Sequence, residues 1–280
     1  MLTPYGHLSY CTNIHAGESW PDHFNALKEH FPGIKSSLSP DKPMGIGLRL
    51  SNEASLELIK DDQLNEFRSW LTQQDAYVFT MNGFPYGGFH HTVVKDQVHA
   101  PDWTTKDRTD YTIRLFNILK QLVPEGTDAG ISTSPLSYRH WFTSEQETLS
   151  ARETATGHII DVAEKLIMIH GATGTTLHLD IEPEPDGLLE TGEEFIQWFE
   201  KDFLPAGIKR IREKFGASNS KAEELLRQHI CLCYDICHFA VGYEPNAAMI
   251  SRLKEKGIRI GKFQVSAALK GVLDKTGNRD

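Results

Sequence analysis

Short strand-like runs alternate with longer amphipathic stretches along the whole chain, and the runs turn polar at their C-terminal ends. Seven such runs are readable, at residues 7–15, 44–51, 77–82, 129–134, 175–182, 230–236 and 258–265. Between them, apolar residues recur at helical spacing, as in Trp20, Phe24, Leu27 and Phe31 behind a capping Ser19, or Tyr111, Leu115, Ile118, Leu119 and Leu122. Phe195, Trp198, Phe199, Ile208 and Ile211 follow the fifth run as two predicted helices divided near Pro205. A helix from Pro245 through Leu253, closed by Gly257, follows the sixth. Strands that alternate with helices require crossover connections and therefore a parallel sheet.

Side-chain parity separates an open sheet from a closed barrel. Alternate strand residues face opposite sides. One set, including Leu177, Leu179, Ile181, Phe263 and Val265, is fit to lie under helices. The other is polar toward the C-terminal ends: Asn13 and His15, Arg49 and Ser51, Thr80 and Asn82, Ser132 and Ser134, Asp180 and Glu182, Asp235, Lys262 and Gln264. An open sheet would aim half of these elsewhere, whereas a TIM (β/α)8 barrel gathers them on one face. The expected fold is thus α/β, a TIM-type barrel truncated after the seventh strand, because nothing after Val265 is long or apolar enough to supply an eighth. The unpaired edge left between the first and seventh strands invites self-association, as in a homo-oligomer, or capping by another segment.

At 280 residues the chain is expected to form a single barrel domain over 1–280. Its net charge of −9 argues against a nucleic-acid partner, whose phosphates need clustered Lys and Arg. No stretch approaches the roughly 18 apolar residues of a membrane span, and no signal-like start is present, so a cytoplasmic location is expected. Cys11, Cys231, Cys233 and Cys237 are expected to be reduced. CLCYDICH resembles metal-thiolate spacing, but Cys231 and Cys233 alternate along a strand and no second cluster completes four ligands, which favours buried structural thiols.

Candidate chemistry concentrates at three strand ends. In TTLHLDIEPEPDG, Glu182 ends the fifth strand and Pro183 and Pro185 force the chain out of pairing, so Glu182 sits at the rim. In CLCYDICHF the inward Asp235 precedes His238, which can turn back over the same pocket. Two carboxylates and an imidazole suit a divalent cation such as Mn²⁺, Zn²⁺ or Mg²⁺. The competing reading is a hydrogen-bonded network with Arg49 or Lys262 filling the barrel mouth. Arg49 and Lys262 are also candidates to hold a substrate phosphate or carboxylate. His15, inward by parity, is a candidate substrate contact, and His90 and His91 lie with Lys95 on a Gly-rich loop long enough to serve as a lid. GATGTT at residues 171–176 precedes a strand instead of following one, which excludes a nucleotide loop.

At Glu182, at Asp235 with His238, and at the GKFQVS strand, the sequence resembles the xylose isomerase-like TIM barrels of the sugar phosphate isomerase/epimerase superfamily. Within it, the strings YCTNIHAGESW, GFHHTVVKDQVHAPDW, LHLDIEPEPDG, CYDICHF and IGKFQVSAALK are similar to the EboE metabolite-traffic proteins. The resemblance implies that Glu182 is a metal ligand and proton-transfer base, Asp235 a second ligand, and His238 a contact to substrate hydroxyls. His91, on the Gly-rich loop, is a further candidate substrate contact by its position and not by the resemblance. Gln264 stands where the isomerases offer a metal-binding His, and the strand that would bring their second Glu is not found. The resemblance therefore implies a shortened form of a longer barrel.

Under the resemblance, a divalent ion would bind adjacent oxygens of a hydroxycarbonyl substrate, a carbohydrate-like or other polyol metabolite, while Glu182 moves a proton between neighbouring carbons. The rival expectation is a noncatalytic metabolite-binding or trafficking protein that keeps the mouth without a full ligand set. A DNA-repair endonuclease on the same fold would want a basic face and further inward histidines.

Overall fold

The computed structural model describes residues 1–88, 95–269 and 271. A small antiparallel hairpin, β1 (Leu2–Thr3) and β2 (Gly6–His7), opens the chain. The seven strands that follow form one entirely parallel sheet in sequence order: β3 (Ser9–Cys11), β4 (Met44–Arg49), β5 (Ala76–Asn82), β6 (Ala129–Thr133), β7 (Leu177–Ile181), β8 (Ile230–Asp235) and β9 (Ile260–Gln264). All seven strand-like runs of the sequence are strands here. The hairpin, which the sequence reading did not anticipate, packs beneath the sheet, where His7 Nδ1 lies 2.9 Å from the hydroxyl of Tyr77 near the start of β5.

Between the strands run α1 (Trp20–Leu38), α2 (Asn52–Leu58), α3 (Asp61–Gln73), α4 (Lys106–Leu122), α5 (Glu145–Thr173), α6 (Gly192–Trp198), α7 (Leu204–Phe215), α8 (Asn219–His229), α9 (Ile236–Val241) and α10 (Asn246–Glu255). Ser19 caps α1 in a reciprocal box with Asp22, satisfying two of the backbone N–H groups a helix start leaves open. The expected division near Pro205 is present, as a π-turn and not as a loop. The chain passes from α6 through a π-turn at Phe199–Phe203 into α7, which leaves Pro205 in the first turn, where its missing N–H costs nothing.

The outward faces of the strands (Ile46, Leu48, Val78, Met81, Ile131, Leu177, Leu179, Ile181, Leu232 and Tyr234) join Phe24, Phe67, Leu115, Ile159, Leu166 and Leu226 of the helices in one buried apolar cluster. Register shifts at Ile46/Gly47, where β5 runs on by one residue, keep Val78 and Met81 both outward.

The sheet is curled as a half-barrel and left open. Lys262 Nζ of β9 donates to Ser132 Oγ of β6 at 3.0 Å, although those strands are not neighbours. β3 and β9 are its two edges. Phe263 and Val265, expected under a helix, are instead 52% and 79% exposed, because among the described residues no helix follows β9 to cover that face. No helix among them is long and apolar enough to cross a membrane.

Small residues give the interior its room. A Cβ added to Gly130 would lie 2.1 Å from His178 Cε1 and 2.4 Å from Asp180 Oδ2, two buried side chains that are themselves hydrogen-bonded. Gly130→Ala is therefore expected to destabilise the fold by about 1–3 kcal/mol, the usual penalty for overpacking. Urea denaturation measures it; an unchanged midpoint would show that the interior yields freely.

Candidate active site at the barrel mouth

β7, β8 and β9 deliver the mouth. Their register aligns Asp180 with Cys231, and Cys233 and Asp235 with Lys262 and Gln264, so one inward file on each strand meets the next. Glu182 and Asp235, both buried, converge on a single amide: Gln264 Nε2 donates to Asp235 Oδ2 at 2.5 Å and to Glu182 Oε1 at 3.4 Å. His238 closes the group, with Nδ1 3.6 Å from Glu182 Oε1 and Nε2 3.9 Å from Asp235 Oδ2.

The two carboxyls are shifted in opposite directions. Burial pushes Glu182 up and Asp235 adds to the rise, against the lowering charges of His238 and Lys262. Burial also works to raise Asp235, but the Ser266 hydroxyl, the His238 charge and the Cys237 donors outweigh it and hold that carboxyl low. Its Oδ1 accepts from Ser266 Oγ at 2.5 Å and from the backbone N–H of Cys237 at 2.9 Å, which also makes Asp235 the cap of α9. The sequence signal for that cap, a strand-ending Asp directly before a helical turn, fixes Asp235 and His238 on one short element.

Glu184 belongs to the same site, although the sequence reading singled out only Glu182 of EPEP. Alternate prolines carry both glutamates over the rim. Glu184 Oε1 lies 3.1 Å from His99 Nε2, and its Oε2 4.0 Å from His238 Nε2. Burial, with the charges of Glu182, Asp235 and Asp186 behind it, pushes Glu184 up to about 9. Burial and then the Arg108 charge lower His99 to about 4. Near neutrality the two therefore meet as an uncharged pair within hydrogen-bond reach, while His238 stands 3.6 Å from Glu182 and 4.0 Å from Glu184, beyond that reach.

Lys262 is half-buried behind the mouth; burial disfavours its charge, but Cys233, Cys11, Glu182 and Asp180 outweigh that and raise it. Arg49 does not join the acids. It is fully buried and clamps the loops after β3 and β5, donating to Gly17 O at 3.0 Å, Glu18 Oε1 at 3.2 Å and Gly87 O at 2.6 Å. His15 is not inward, because a tight 3-10 turn at Thr12–Ile14 ends the strand early and breaks its parity. The His15 ring stacks on His30 of α1 at 4.7 Å, lining a cleft of about 560 Å³ outside the barrel. His90 and His91 lie outside the described residues.

The donor set fits a hard divalent cation. Glu182 Oε2 and Gln264 Oε1 are buried with no hydrogen-bond partner among the described residues, and an amide hydrogen pair now sits where two carboxylates would otherwise share positive charge. A half-turn of the amide would present oxygen in its place. Among the described residues, two groups of side chains bring ligand atoms within 4.8 Å of one another: Asp235, Cys237 and His238 at the mouth, and His178, Asp180 and Cys231 deeper inside.

No family model and no curated protein sequence matches the chain. Among solved structures, a 1.8 Å crystal structure of the IOLI protein with a binding zinc atom is similar, with a TM-score of 0.49 and 12% identity over 91% of this chain and 72% of that one.

Between 4.5 and about 9 the folded chain keeps a proton on Glu184 that the unfolded chain has released, so stability falls as pH rises through that window. Glu184→Gln, which mimics the protonated form, is expected to flatten that fall. Thermal unfolding at both ends of the window tests it; superimposable profiles for the two proteins would contradict the assignment.

Proposed function

We propose that this chain is a divalent-metal-dependent isomerase or epimerase of the xylose isomerase-like kind, acting on a carbohydrate-like hydroxycarbonyl compound. The observation that carries the reading is the convergence of Glu182 and Asp235 on Gln264 beside His238. Glu182, Asp235 and Gln264 would hold the ion, Mn²⁺, Zn²⁺ or Mg²⁺. When bound, such an ion polarises a carbonyl oxygen and makes the neighbouring C–H more acidic.

The chain's own groups do the rest. Glu182, whose burial makes it a stronger base once ionised, takes a proton from the carbon beside the carbonyl and returns it to the adjacent one. His238, more exposed than Glu182, Asp235 and Glu184, donates to substrate hydroxyls from its place between Glu182 and Glu184. Glu184 stores a proton at neutral pH beside His99 at the rim of the same pocket. The negative net charge favours a neutral polyol over a nucleic acid.

The alternative is a noncatalytic metabolite-binding protein, similar to the EboE group. It is supported by Gln264, whose amide donates to one oxygen of each carboxylate in the place a cation would take.

Glu182→Gln is expected to abolish turnover of hydroxycarbonyl substrates while circular dichroism and thermal unfolding show an intact fold. Calorimetric titration with Mn²⁺ is expected to give stoichiometric binding that Asp235→Asn weakens by at least tenfold. Turnover that survives in Glu182→Gln rejects the base; absence of both turnover and Mn²⁺ binding in the native protein leaves the binding-protein reading standing.

A further inference from the structure

Below the mouth, and independent of it, the inward file of β7 carries His178 and Asp180, and the register of β8 sets Cys231 directly beside Asp180. All three are buried. His178 Nδ1 lies 2.6 Å from Asp180 Oδ1, and Asp180 Oδ2, fully enclosed, has no hydrogen-bond partner among the described residues. Among the described residues, the Cys231 thiol finds only distant carbonyls, Gln228 O at 3.7 Å and Arg227 O at 4.0 Å.

Glycines guard this spot on both sides. A Cβ at Gly261 of β9 would lie 2.0 Å from Asp180 Oδ1 and 2.6 Å from His178 Nδ1, and one at Gly130 of β6 would strike the same pair from the other side. The far nitrogen of His178, Nε2, faces Asp128 Oδ1 at 3.7 Å, and Asp128 is fixed by an ion pair with Arg259. A carboxylate behind an imidazole is the arrangement that orients a metal-binding histidine and sets its tautomer.

We propose that His178, Asp180 and Cys231 form an interior zinc site. A nitrogen, an oxygen and a sulfur donor together suit Zn²⁺ and not Mg²⁺ or Ca²⁺, which want oxygens alone. On binding, the Cys231 thiol gives its proton to solvent and its sulfur lone pair to the metal. The Nδ1 proton of His178 is replaced by one on Nε2, toward Asp128, and the unpartnered Asp180 oxygen gains its counter-charge. The ion would tie β7 to β8 beneath the mouth.

Cobalt substitution tests this, since a thiolate ligand gives Co²⁺ an intense near-ultraviolet charge-transfer band that oxygen and nitrogen donors do not. The native protein is expected to show the band. Cys231→Ser should lose it, while Cys237→Ser and Glu182→Gln, which alter the mouth, should keep it. Because Cys231→Ser could disturb the core, two measurements avoid that substitution. Zinc-edge X-ray absorption of the native protein should find a sulfur neighbour at about 2.3 Å. Asp128→Asn should weaken zinc affinity by roughly 10- to 100-fold in competition with a chelating dye. A native protein without a sulfur neighbour, or a cobalt band that survives Cys231→Ser or vanishes in Cys237→Ser, would overturn the proposal, as would unaltered zinc affinity in Asp128→Asn.

Discussion

Carboxylates turned into the inside of a curled parallel sheet are the constraint on which this structure depends. Asp180, Glu182 and Asp235 are all removed from water, and an ionised carboxylate in such a place is tolerated only with donors or counter-charge close by. The fold answers at each of them differently. Asp235 receives a hydroxyl, a helix start and an amide; Glu182 shares that amide and the field of Lys262 and His238; Asp180 leans on one imidazole alone. Where the answer is least complete, a bound cation has the most to contribute.

The interior is consequently layered. His178, Asp180 and Cys231 lie deepest, Lys262 crosses to Ser132 above them, and Glu182, Asp235, Gln264, His238 and Glu184 make the mouth. Glycines at 130 and 261 admit the lower layer, where any side chain would collide. Among the described residues, the same curvature leaves β3 and β9 unpaired on their outer sides, and Phe263 and Val265 open to water, a surface that an additional segment or second copy could cover.

The strands and their inward files were legible because the period of two survives as long as a strand does. Glu182, Asp235, Lys262 and Gln264 all lie on such files, and they meet as parity requires. His15 fails because parity stops where the strand stops, and a 3-10 turn after Cys11 sends it to the helix layer. Arg49 has the expected facing, but a long side chain reaches the carbonyls of two loops before it reaches the acids. Glu184 and His99 come together only through loop geometry that no local pattern encodes. The trio of His178, Asp180 and Cys231 was half visible: the alternation H-x-D-x-E marks one strand, but the thiol arrives from the next, and only register reveals it. Phe263 and Val265 were read as covered on the assumption of a helix that the described residues do not contain.

The mouth can be examined most directly by diffraction from crystals soaked in Mn²⁺, an ion that prefers oxygen donors and so selects the mouth over the thiolate-bearing layer beneath it. An anomalous peak bridging the carboxylates of Glu182 and Asp235, with the Gln264 amide turned to offer oxygen, is the predicted result. Both carboxylates still spanned by the Gln264 nitrogen, with no peak between them at saturating Mn²⁺, would contradict it.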